Sequence, residues 1–66
     1  MFIKFEGRIL NVSQIQFIKK FDNITSFGTY ICINIHFLSK ETLQIEYKNK
    51  TDRENAYIKL EELLIK

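Results

Sequence analysis

Residues 29–48, TYICINIHFLSKETLQIEYK, decide the fold. In the first half of this stretch Ile31, Ile33, Ile35 and Phe37 fall on one side of an extended chain, with Tyr30, Cys32, Asn34, His36 and Leu38 on the other. The second half alternates again: Leu43, Ile45 and Tyr47 on one side, Thr42, Gln44, Glu46 and Lys48 on the other. A period of two is the signature of a strand. The intervening Ser39-Lys40-Glu41 is of hairpin length. Two alternating runs so closely joined predict an antiparallel hairpin with strands over 29–38 and 42–48. Its isoleucine ridge needs a cover.

The cover lies at the C-terminal end. At about 100° per residue, Ala56, Tyr57, Leu60, Leu63 and Leu64 make one apolar stripe, which predicts a helix over 52–65. Thr51-Asp52-Arg53-Glu54 matches a capping box, with Thr51 accepting from the third helical amide and Glu54 reaching back. Leu60→Asp is expected to unfold the protein, because the stripe closes the ridge.

Upstream, Phe2 to Phe5 is a short extended run that Glu6-Gly7 can bend, and Arg8-Ile9-Leu10 extends again, so strand spans 2–10 with a break. Asn11-Val12-Ser13 reads as a turn. Ile15 to Asp22 reads as a strand with imperfect alternation, since Ile15, Phe17 and Phe21 share a face with Lys19 and Ile18 opposes them; a bulge near Ile18-Lys19 is the expected remedy. The polar stretch from Asp22 to Gly28 reads as a loop carrying Ile24 and Phe27 as stranded apolar residues. The expected architecture is therefore α+β: a single domain over 1–66, with a small antiparallel sheet of about four short strands and one C-terminal amphipathic helix on one face.

A chain of 66 residues buries only about 60% of the surface that its unfolded form exposes, so domains of this size often lean on disulfides, a metal or a partner. One cysteine, Cys32, allows no disulfide within the chain, and one histidine, His36, is too few with it for a structural zinc site. No cofactor or metal is expected. Self-association, or a protein partner, is the remaining support. No apolar run approaches the roughly 18 residues of a membrane span, and no secretory core follows Met1; the expectation is a cytoplasmic protein. The skew toward Ile, Lys, Asn, Phe and Tyr suits an AT-rich genome, such as that of a low-GC bacterium or its phages.

Catalytic constellations are absent from the pattern. Cys32 and His36 share a strand face but stand about 13 Å apart, too far for a nucleophile and its base. Glu61 and Glu62 belong to the helix exterior, and Gly7 and Gly28 stand alone rather than in a phosphate-binding loop. The expectation is no enzyme. What remains is surface. Ile58 and Ile65 lie seven apart on the polar side of the helix, and with Ile24 and Phe27 they make a candidate contact surface, joined by Tyr30 and His36 on the second face of the sheet. This pattern points to a small non-catalytic protein-interaction module, a homodimer or the ligand of a larger protein, of the kind a phage or mobile element encodes as an inhibitor or accessory factor. The alternative is a nucleic-acid-binding module in which Tyr30 and His36 stack bases and Arg8, Lys19 and Lys20 meet phosphates. A net charge of +2, from ten basic and eight acidic residues, is a small surplus for that task.

Overall fold

A computed structural model of the chain describes residues 1–65. Five strands and one helix follow in order: β1 (Phe2–Phe5), β2 (Arg8–Asn11), a 3-10 turn (Val12–Gln14), β3 (Ile15–Thr25), β4 (Gly28–Phe37), β5 (Thr42–Tyr47) and α1 (Lys50–Leu64). β1 and β2 form a hairpin of their own, and β3, β4 and β5 form a three-stranded antiparallel meander. The α+β architecture is the expected one, with the antiparallel strands on one side of a C-terminal helix. The N-terminal stretch makes a separate small sheet instead of adding to the larger one.

Each joint has a local cause. Glu6 and Gly7 both take positive φ, 51° and 75°, the backbone of a tight two-residue hairpin turn whose twist matches its strands. Asn11 carries the next bend: its Oδ1 accepts from the Ser13 amide at 3.2 Å and from the Ser13 hydroxyl at 2.7 Å. β3 and β4 meet through Ser26 and Phe27 alone, where Thr25 Oγ1 accepts from the Phe27 amide and donates to the Gly28 carbonyl. The polar stretch from 22 to 28 is thus strand for most of its length, and Ile24 pairs with Thr29 inside the ladder. Polar residues with poor strand propensity were overridden by the partner strand opposite them.

The bulge also sits earlier than the alternation suggests. Ile15 pairs with Phe37 and Phe17 with His36, so Gln16 is the extra residue. This shift lets Ile15 face the core before Phe17 turns away from it. From there on the register is regular, and Ile18, Lys20, Asp22 and Ile24 lie on the inner face beside Ile35, Ile33, Ile31 and Thr29.

The core is the inner face. Ile33, Ile35, Ile45, Leu60, Phe5 and Leu10 are buried together, so sheet, helix and N-terminal hairpin all contribute. The helix stripe is as expected, with Leu60 fully buried and Ala56, Tyr57, Leu63 and Leu64 packed against the cluster. Its start is not. Asn49, two residues before Thr51, is the cap, and its Oδ1 accepts from the Asp52 amide at 2.7 Å. Asn49 reaches the third helical amide from outside the helix, the task assigned by pattern to Thr51. Thr51 is an exposed residue of the first turn, and Glu54 turns to Lys20, 3.0 Å away.

Candidate interaction surfaces

The meander has one covered face and one open one. On the open face the rows run across the sheet: Phe17, His36 and Thr42; Lys19, Asn34 and Gln44; Phe21, Cys32 and Glu46; then Asn23 and Tyr30. The Phe17 and His36 rings stack with centroids 4.3 Å apart and planes 20° from parallel. His36 Nδ1 lies 3.1 Å from the Thr42 hydroxyl, which fixes the imidazole from the side opposite the phenyl ring. Phe17 and Tyr30 are exposed, Phe21 and His36 partly so. Down the middle, Cys32 and Asn34 are buried although no second layer of the described residues covers them, because a central strand with short side chains is shielded by the longer ones on both neighbours. Burial, helped by the Glu46 carboxylate, pushes the Cys32 thiol above its ordinary value, so this cysteine is held as a neutral thiol. The Asn34 Oδ1 and His36 Nε2 atoms are buried without a hydrogen-bond partner among the described residues.

The inner face carries the electrostatics. Arg53 is only 8% exposed, and its Nη1 donates to Asp22 Oδ1 and, at 3.3 Å, to the Phe21 carbonyl. That guanidinium holds the Asp22 carboxyl below its ordinary value, with Lys50 adding to the effect. Lys20 lies between Glu54 and the Tyr57 ring, 5.2 Å from the ring centroid. The Tyr57 hydroxyl donates to the Ile18 carbonyl at 3.3 Å. Helix and edge strand are thus joined by three side chains within about one turn of the helix, Arg53, Glu54 and Tyr57. Pattern reading missed Arg53, although position 53 continues the stripe of 56, 57, 60 and 64. Near the other end of the sheet, burial and the Glu6 carboxylate hold the Tyr47 phenol above its ordinary value.

The residues singled out from the sequence divide among three places. Tyr30, His36 and Lys19 share the open face. Lys20 lies on the opposite face, and Arg8 begins β2, so the five proposed nucleic-acid contacts do not form one stripe. Ile58 and Ile65 flank a shallow groove with Glu61 and Glu62 toward the C-terminal end of α1. Ile24 and Phe27, 78% and 92% exposed, sit at the tip of the β3–β4 hairpin. Because Arg53 and Lys50 meet Asp22, that tip projects past the start of the helix, while Ile65 lies at its end. Within one chain the two isoleucine groups stand at opposite ends. A second groove, of about 290 Å³, opens between the start of β3 and the end of α1, with Val12, Ile15, Ile18, Leu64 and Ile65 among its walls.

Among the described residues no three His, Cys, Asp or Glu side chains converge as a metal site would require. None of their helices is long and apolar enough to cross a membrane. Comparison with protein-family models, with curated proteins and with solved structures finds no match.

Proposed function

We propose that this protein works without catalysis, by presenting the open face of its β3–β5 sheet to a larger protein. The observation that carries the reading is the composition of that face. It joins Phe17, Phe21, Tyr30 and His36 across two strands, and aromatic side chains of this kind anchor protein contacts because they offer large area at low entropic cost. The stacked Phe17 and His36 rings are held in one arrangement before any partner arrives, which lowers the ordering cost of binding. A phage or mobile-element inhibitor of a host enzyme is the role that this design and the AT-rich composition suit. The test is a paired capture from lysate with the native chain and with a Phe17→Asp/Tyr30→Asp variant. A protein retained by the first and lost by the second supports the reading; identical captures refute it.

One observation favours nucleic acid as the second reading. Lys19 stands between Phe17 and Phe21 on the same face as Tyr30 and His36, an ammonium among stacking surfaces, as single-strand binders use. Fluorescence anisotropy with labelled DNA and RNA separates the two. Binding that weakens steeply with salt and disappears in Lys19→Ala/Tyr30→Ala selects nucleic acid.

A further inference from the structure

β3 is an outer strand of the meander. It runs for eleven residues, about twice the usual strand length, and alternate backbone N–H and C=O groups along it face away from β4, of which the Ile18 carbonyl also accepts from the Tyr57 hydroxyl and keeps its second lone pair. A long edge is a template for pairing with another chain unless its side chains forbid it. Here the side chains select rather than forbid. In an antiparallel pair of two β3 strands related by a twofold axis, directly opposed residues share a face, so the axis must pass through a residue. An axis at Lys19, Lys20 or Asp22 sets like charges against each other, which is unfavourable. An axis at Phe21 sets Lys20 opposite the partner's Asp22 and Asp22 opposite the partner's Lys20. It also sets Ile18 against the partner's Ile24, Lys19 against the partner's Asn23, and Phe21 against the partner's Phe21.

The same register solves a second problem. The hairpin tip lies six residues beyond Phe21, and Ile15 lies six residues before it, about 20 Å to either side. Pairing about Phe21 therefore brings the tip, with its exposed Ile24 and Phe27, level with the groove whose walls include Val12, Ile15, Ile18, Leu64 and Ile65, with Gln16 and Glu61 as its polar members. Ile24 and Phe27, which a single chain keeps apart from Ile65, meet it across the axis. We infer that the protein is a homodimer joined through its β3 edges about Phe21, with a continuous six-stranded sheet and each hairpin tip seated by the groove of the other copy. Glu54, Lys20, the partner's Asp22 and the partner's Arg53 then form a chain of alternating charge on the helix side.

The pairing uses the β3 edge, with Phe21 shared between the seam and the open face, but mass and cross-linking report the seam while partner capture reports the open face, so the two tests fail separately. Sedimentation velocity of the unaltered chain should give twice the chain mass. Phe21→Cys in a Cys32→Ala background should cross-link the two copies under mild oxidation, because opposed residues have Cα atoms about 4.5–5.5 Å apart, within the roughly 4.4–6.8 Å that a disulfide spans. Lys19→Cys and Asn23→Cys in the same background should not, since each faces the other's position and not its own. Ile24→Lys, at a site exposed in the single chain, should leave the circular dichroism of the fold unchanged and weaken the dimer at least tenfold. A monomer at every concentration overturns the inference, even where the Phe17→Asp/Tyr30→Asp variant still loses a protein partner. So does cross-linking at 19 or 23 as fast as at 21, or a dimer indifferent to Ile24→Lys.

Discussion

Leu60 is the residue on which the three parts of the fold converge. Its side chain is fully buried, in one cluster with Phe5 and Leu10 from the N-terminal hairpin and Ile33, Ile35 and Ile45 from the meander. Those neighbours belong to two separate sheets, so the space left by truncation cannot close without moving a whole element. Leu60→Ala should therefore fall in the upper part of the range for such changes, about 3–5 kcal/mol. A domain of 66 residues has a total stability of about 3–10 kcal/mol, so this one truncation removes a third or more of it. Leu60→Asp adds the burial of a charge and should leave no folded protein. Leu60→Met, which keeps the volume, should lose less than about 1.5 kcal/mol, and Ile58→Ala, on the exposed side of the same helix, less than about 1 kcal/mol. Urea unfolding followed by far-ultraviolet circular dichroism at one fixed protein concentration measures all four. A Leu60→Ala midpoint within the error of the native one, or a greater loss from Ile58→Ala, would refute the assignment of this helix face to the core.

Three further outcomes follow from the contacts. Asn49→Ala should cost about 1 kcal/mol by removing the cap, whereas Thr51→Ala should stay within about 0.5 kcal/mol; the reverse order in urea melts would restore Thr51 as the cap. The Asp22 carboxyl is held below its ordinary value of 3.8, chiefly by Arg53, so its contribution is present above that pH and lost as pH falls further. Thermal melts from pH 6 to pH 2 should show a shallower acid decline for Asp22→Asn than for the native chain, and parallel curves would contradict the pairing. The Cys32 thiol is buried, and burial raises its pKa above the ordinary thiol value, so native protein should react with iodoacetamide at pH 8 far more slowly than the urea-unfolded chain; equal rates would place the thiol on the surface.

The hairpin of β4 and β5 and the helix stripe were legible because one face of each is buried, and burial of one face writes its period into the sequence. β3 was legible only in part. Its outer residues Phe17, Lys19 and Phe21 lie on a face with no covering layer, and its inner residues Lys20 and Asp22 answer to helix side chains instead of the apolar core. Neither face was required to be apolar, so neither showed a clean period. The shift at Gln16 then displaced the alternation by one residue. Its end was hidden for a different reason: Ser26-Phe27 lacks the Asn-Gly or Asp-Gly pair that marks a two-residue turn, and hydroxyl bonds from Thr25 take the place of that signal. At the helix start the capping-box pattern pointed to Thr51 alone, and Asn49, which lies outside that pattern, is the residue that reaches the Asp52 amide. Of the candidate nucleic-acid set, Tyr30, His36 and Lys19 lie on one face while Lys20 and Arg8 do not, and Ile24 and Phe27 do not meet Ile58 and Ile65 inside one chain.

That last separation links the two surfaces. With the twofold axis at Phe21, the open faces of the two copies lie side by side in one sheet, and Phe17, Lys19 and Phe21 from each copy line the seam. A partner that spans the seam meets about twice the aromatic area that a monomer offers, and both halves are held rigid by the same ladder. Its affinity then depends on the dimer even though Ile24 and Phe27 do not belong to the open face. Ile24→Lys should therefore weaken capture of the protein partner while Phe17 and Tyr30 remain intact, and raising the concentration of that variant should restore capture as mass action restores the dimer. Phe17→Asp/Tyr30→Asp should abolish capture at every concentration and leave the dimer in place. A variant dimer whose loss does not touch partner affinity would show that each copy binds alone, with the seam serving assembly and not recognition.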